Sequence, residues 1–75
     1  MQTLHIRFRN INEVKEFINI VNNIEGDVNL YDGRHTVIAK SIMGVYSLNL
    51  QNKLELTIKD WNEEYALLFE KFETD

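Results

Sequence analysis

Lys40-Ser41-Ile42-Met43-Gly44-Val45-Tyr46-Ser47-Leu48 is the stretch around which the rest of the chain is organised. Ser41 is a good helix N-cap, because its hydroxyl can accept a bond from a backbone N–H two or three residues on. Apolar side chains follow at Ile42, Met43, Val45, Tyr46 and Leu48, too many around the circumference for one buried stripe. Val45 and Leu48 are expected to face a core, leaving Ile42, Met43 and Tyr46 at least partly outside. An apolar outer face on a short helix marks a surface suited to another protein. Ordinary partial packing of these three side chains is the competing reading, with Tyr46 lying over the edge of a sheet.

The residues before this helix read as a hairpin. Asp27 to Tyr31 and Arg34 to Ala39 are apolar-rich runs on either side of Asp32-Gly33, a strong two-residue turn signal. After the helix, Asn49 to Lys53 is polar enough to be a turn. Leu54, Leu56 and Ile58 then alternate with Glu55, Thr57 and Lys59, as a half-buried strand requires.

Toward the N-terminus, Thr3 to Phe8 alternates in the same way, with Leu4, Ile6 and Phe8 on the apolar side. Asn10 or Asn12 can cap a helix in which Ile11, Val14, Phe17, Ile18 and Val21 recur at helical spacing. Asn22-Asn23 and then Gly26 are expected to stop it. Toward the C-terminus, Asn62 can cap a last helix with Glu63 and Glu64 in its first turn, where the helix dipole favours acids. Tyr65, Leu68, Phe69 and Phe72 would form its buried stripe, with Trp61 packing at its start. The order is β-α-β-β-α-β-α, and the simplest way to bury these stripes is an α+β domain with the helices on one face of the sheet.

Seventy-five residues make one domain, spanning 1–75. There is no cysteine, hence no disulfide, no thiolate metal site and no thiol nucleophile. The formal net charge is −4 and the cations do not cluster, which argues against nucleic acid and an anionic membrane as main partners. The N-terminus alternates instead of running apolar, so no signal peptide and no membrane span is expected, and the location implied is the cytoplasm.

The Lys-Ser-Ile-Met-Gly-Val run, placed after a hairpin in this element order, resembles HPr, the small phosphocarrier protein of the bacterial sugar phosphotransferase system. The likeness runs without gaps from about Ile24 to Ile58. It includes Asp27-Val28-Asn29-Leu30, Gly33, Ser47-Leu48 and Leu56-Thr57-Ile58. It implies an open-faced sandwich: a four-stranded antiparallel sheet in the order 1-4-2-3 with three helices on one face.

The segment leading into the first helix departs from that pattern. HPr proteins carry Gly-Leu-His-Ala-Arg-Pro there, and the histidine accepts the phosphoryl group. Counting back from Asp27, the motif falls on Phe8-Arg9-Asn10-Ile11-Asn12-Glu13. Asn10 stands for the histidine, Asn12 for the arginine and Glu13 for the proline. An amide nitrogen has its lone pair delocalised into the carbonyl and does not attack phosphorus, whereas a neutral imidazole does. Asn12 offers no guanidinium fork. Glu13 adds negative charge where a phosphoryl group would sit. Histidyl phosphotransfer is therefore not expected.

His5 and His35 read as solvated strand residues, with no third ligand pattern for a metal. Glu13, Glu16, Glu25, Asp27, Glu63 and Glu64 are explained by solvated faces or caps. No nucleophile–base pair, phosphate loop or cofactor motif is visible, so neither enzymatic activity nor a cofactor is expected.

In many Gram-positive members of the HPr family the serine matching Ser41 is phosphorylated by a dedicated kinase, and the phosphorylated form serves as corepressor of a transcription factor. The resemblance therefore implies a docking and regulatory protein, with Ser41 as the modified residue and Lys40, Ile42, Met43 and Tyr46 as the partner surface. Its partners would be other proteins, such as an HPr kinase or a transcription regulator. The plain alternative for Ser41 is N-capping, worth about 1 kcal/mol. Two further readings are a phosphocarrier using a non-standard residue and a small-ligand-binding regulatory domain, the latter short of convergent polar groups.

Overall fold

Alternation in four short runs decides the sheet. In the computed structural model, which describes residues 1–74, the strands are β1 (Gln2–Ile6), β2 (Val28–Tyr31), β3 (Thr36–Ile38) and β4 (Leu54–Ile58). They pair antiparallel in the order 1-4-2-3. Leu56 on the central β4 stands opposite Leu4 on one side and Leu30 on the other.

Since successive side chains point to opposite faces, Ile6, Val28, Leu30, Leu54, Leu56 and Ile58 gather on one face and are buried. Thr3, His5, Asn29, Tyr31, Glu55 and Thr57 occupy the other, and none of them is buried. All three helices cover the apolar face: α1 (Ile11–Asn22), α2 (Ile42–Tyr46) and α3 (Tyr65–Phe69). Their inward residues, Val14, Phe17, Ile18, Val21, Val45 and Phe69, join the strand residues in one core. The architecture is the α+β open-faced sandwich expected from the sequence.

Several local expectations need correction. β1 ends at Ile6, not Phe8. Phe8 is buried all the same, packed edge-on against Phe17 (5.1 Å between ring centroids) and Phe72 (5.7 Å). Ile11 continues the helical spacing of the α1 stripe, but at the first helical position it lies 52% exposed.

The end of α1 comes at Asn22 and Asn23. Their side-chain amides donate back to the carbonyls of Ile18 (2.8 Å) and Asn19 (2.9 Å), and the second of these is an acceptor that the helix end leaves open. Gly26, with φ +88°, serves the connection to β2 and not the helix cap itself.

The hairpin reversal is shifted by one residue. A two-residue Asp-Gly turn would need φ > 0 at Asp32, yet among the described residues only Gly26 and Gly33 have positive φ. Asp32 and His35 form the last pair instead: the Asp32 N–H donates to the His35 carbonyl at 3.2 Å, and Gly33-Arg34 make the reversal.

The last helix is shorter than its apolar spacing suggests. It runs for five residues and tightens into a 3-10 turn at Glu70–Phe72. Phe69 and Phe72 are buried, Tyr65 is half-buried, and Leu68 is exposed. Asn62 Oδ1 accepts the Glu64 N–H at 2.9 Å ahead of the helix, and Trp61 packs edge-on against Tyr65. The tail then returns beside β1, with Arg7 N–H donating to Phe72 (2.8 Å) and Thr74 N–H to His5 (2.9 Å). No helix among the described residues is long and apolar enough to cross a membrane.

Candidate functional site

Two neighbouring features carry the residues singled out by the sequence: the start of α1 and the outer side of α2. At the first, Asn10 is the N-cap, with its Oδ1 accepting the Glu13 N–H at 3.0 Å. Glu13 Oε1 reaches back to accept the Arg9 N–H at 2.8 Å. Side chains three residues apart thus satisfy one orphan donor of the first turn and the backbone N–H just before the cap, a variant of the capping box. Asn10 and Glu13 are committed to shaping the helix start, and Asn12 lies exposed on the first turn.

Beside this start is an open groove of about 230 Å³, walled by Phe8, Arg9, Asn10, Ile11 and Val14 on one side and Leu50 and Gln51 on the other. The loop after α2 therefore closes against the start of α1, bringing the two regions together. Leu50 falls within the stretch that reads as a polar turn in the sequence. A lone apolar residue in such a turn, paired with an apolar residue at a helix N-terminus, was the available signal.

Neither histidine is among the residues lining this groove. His5 projects from the solvated face of the sheet, its Nε2 3.2 Å from Glu55 Oε1 on the neighbouring strand. His35 lies at the hairpin reversal, next to the carboxylate of Asp32. Among the described residues no group of three or more His, Asp or Glu side chains is placed to hold a metal ion.

At the second feature, Ser41 Oγ accepts the Gly44 N–H at 3.2 Å and so caps α2. Val45 is fully buried and Leu48 nearly so, and these two fix the inner side of the helix against the core. Ile42 (52% exposed), Met43 (82%) and Tyr46 (41%) are left on the outer side, adjoining Ser41 and the half-buried Lys40. Gly44 permits this close seating. A Cβ there would come within 3.3 Å of both Ser41 Oγ and the Val37 side chain of β3.

Asp32 joins the hairpin to the loop that follows α2. Its Oδ1 accepts the N–H groups of His35 and Arg34 (2.8 Å each), and its Oδ2 accepts that of Asn49 (3.2 Å). These three bonds, His35 foremost, lower its pKa to about 2. In the sequence Asp32 signals only a turn. The tie to Asn49 links residues 17 positions apart and leaves no local pattern.

Compared with known proteins, the chain matches no family model, no curated protein and no solved structure.

Proposed function

We propose that this chain is an HPr-like protein of the phosphotransferase-system type that works by docking on another protein through the outer side of α2, with Ser41 as a phosphorylation switch. The observation that carries the reading is the triad Ile42, Met43 and Tyr46, exposed together beside the Ser41 cap while Val45 and Leu48 turn into the core. Exposed apolar side chains gathered on one short element favour a protein partner, and a methionine among them adapts to the partner's shape. The partner fitting the resemblance is a transcription regulator.

Phosphorylation would proceed by attack of Ser41 Oγ on the γ-phosphorus of ATP. The Oγ–P bond forms, the bond to the β-phosphate oxygen breaks, ADP leaves, and the hydroxyl proton passes to a base on the kinase. Phosphate oxygens would then take over the Gly44 N–H that Oγ now accepts, and Lys40 supplies a neighbouring cation.

Histidyl phosphotransfer is no part of this reading. The amide of Asn10 lacks a nucleophilic nitrogen, and its oxygen is held by the helix cap.

Mass spectrometry after incubation with ATP and an HPr kinase tests the switch. Addition of one phosphoryl group, lost in Ser41→Ala, supports it, and an unmodified protein rules it out. Incubation with enzyme I and phosphoenolpyruvate tests the rest. An acid-labile phosphoryl adduct there would make the chain a phosphocarrier after all.

A further inference from the structure

The two edges of the sheet are treated differently. Along β1 the tail residues Phe72 and Thr74 already bond to the outer side of the strand at Arg7 and His5. Along β3 no comparable segment bonds to the outer side among the described residues. Asp32 N–H to His35 and Ala39 N–H to Val28 show that residues 35, 37 and 39 direct their backbone groups toward β2. Residues 36 and 38 therefore direct theirs outward. The Ile38 carbonyl accepts from Ser41 N–H, which leaves the Thr36 N–H, the Thr36 carbonyl and the Ile38 N–H facing away from the sheet. Thr36 is exposed and the Ile38 side chain is 62% exposed.

The electrostatics of this edge are opposite to those of the whole chain. The net charge is −4, yet residues 33 to 54 contain no Asp or Glu, and the Asp32 carboxylate just before them is engaged by the backbone N–H groups of Arg34, His35 and Asn49. Arg34 and Lys40 lie two residues beyond either end of β3, and neither side chain makes an ion pair among the described residues.

These cations also decide what cannot cover the edge. Antiparallel pairing of β3 with a second copy of itself about Val37 would set Thr36 opposite Ile38 and bring Arg34 of one copy toward Lys40 of the other. Like charges directly opposed across a strand pair are destabilising. The edge repels its own copy and attracts a strand of the other sign.

We propose that the outer edge of β3 is a docking site for an extended acidic segment of another protein, which adds to the sheet as a fifth strand with carboxylates against Arg34 and Lys40. Main-chain bonds to Thr36 and Ile38 would hold the segment, and the exposed Ile38 would receive an apolar side chain beside it. β3 itself is three residues long, so a segment of about eight residues, roughly 26 Å when extended, reaches past both of its ends toward Arg34 and Lys40. This docking is separate from the outer side of α2 and does not depend on phosphorylation of Ser41.

The test is titration of the isotope-labelled protein with an eight-residue peptide alternating glutamate and valine, followed by amide resonances and amide hydrogen exchange. Binding should saturate, move the Thr36 and Ile38 resonances and slow exchange at both. The double variant Arg34→Gln/Lys40→Gln should weaken it at least tenfold, and a peptide with lysine replacing glutamate should not bind. Thr36→Pro, which removes an outward donor that a proline on an edge strand can spare, should also abolish binding, with unchanged resonances elsewhere reporting the fold. No saturable binding at millimolar peptide, or shifts centred away from β3, would overturn the proposal. So would equal binding of duplex DNA or phosphatidylserine vesicles with the same dependence on Arg34 and Lys40, or a dimer in sedimentation that pairs through β3.

Discussion

Asp32 Oδ2 accepts the backbone N–H of Asn49 at 3.2 Å, so one carboxylate at the hairpin reversal holds the beginning of the loop that leads from α2 to β4. That loop carries Leu50 and Gln51 to the groove at the start of α1. The seating of the groove therefore depends on a residue from the opposite end of the hairpin.

The first prediction follows from the ionisation of Asp32. Its folded pKa is about 2, against an ordinary value of 3.8. A carboxylate with a depressed folded pKa contributes stability that is present above the ordinary value and lost as pH falls through the folded one. Urea midpoints should therefore fall between pH 4 and pH 2 more steeply in the native protein than in Asp32→Asn, whose amide does not titrate. Parallel slopes for the two proteins would show that the three N–H bonds do not favour the charged form.

The glycines at positive φ give a paired prediction. Both Gly26 (φ +88°) and Gly33 (φ +99°) lie in the left-handed region, where an added Cβ costs roughly 1–2 kcal/mol. At Gly33 a Cβ would meet nothing within 4 Å, whereas at Gly26 it would run into the Asp60 carboxylate. Asp60 is exposed and its carboxylate can swing away, so Gly26→Ala and Gly33→Ala should cost similar amounts in chemical denaturation, both set by the backbone. Adding Asp60→Ala to Gly26→Ala should recover little.

Much of this architecture was legible before the structure. The strand order and the single helix-covered face follow from alternation at Leu4 and Ile6, at Val28 and Leu30, and at Leu54, Leu56 and Ile58, together with the resemblance that supplied the order. Less legible were features set by long-range fit. Leu68 has the spacing of a core residue, yet α3 lasts only five residues before the chain tightens, and the buried positions pass to Phe69 and Phe72. Ile11 extends the α1 stripe by spacing but lies at the helix end, where it borders the groove. The Asp32–Asn49 bond and the groove wall at Leu50 join distant segments, so no local window contains them. Around α2 the division into Val45 and Leu48 inside and Ile42, Met43 and Tyr46 outside was readable from spacing alone.

A third prediction concerns the aromatic centre. The Phe17 ring lies 5.1 to 6.0 Å from those of Phe8, Phe69 and Phe72, tying α1 to both ends of the chain. Phe17→Ala should cost about 3–5 kcal/mol. Seventy-five residues typically carry about 4–11 kcal/mol in all. The variant should lose a large share of its stability and melt far below the native protein by circular dichroism, while Phe17→Leu keeps a cooperative transition at a Tm between the two.

The last prediction separates the two sides of α2, and with them the structural and interacting roles of the helix. Val45 has no exposed surface, so Val45→Ala removes buried methyl groups and should destabilise by about 1–3 kcal/mol. Met43 is 82% exposed and touches little, so Met43→Ser should change stability by less than about 0.5 kcal/mol. A docking surface gives the opposite ranking in binding: Met43→Ser and Ile42→Ser should weaken association with a regulator partner at least tenfold, with Tm unchanged. Isothermal titration alongside thermal melts measures both quantities on the same samples. If Met43→Ser lowered Tm as far as Val45→Ala does, the outer methionine would belong to the packing of the domain, and the surface proposed for the partner would lose its most exposed member.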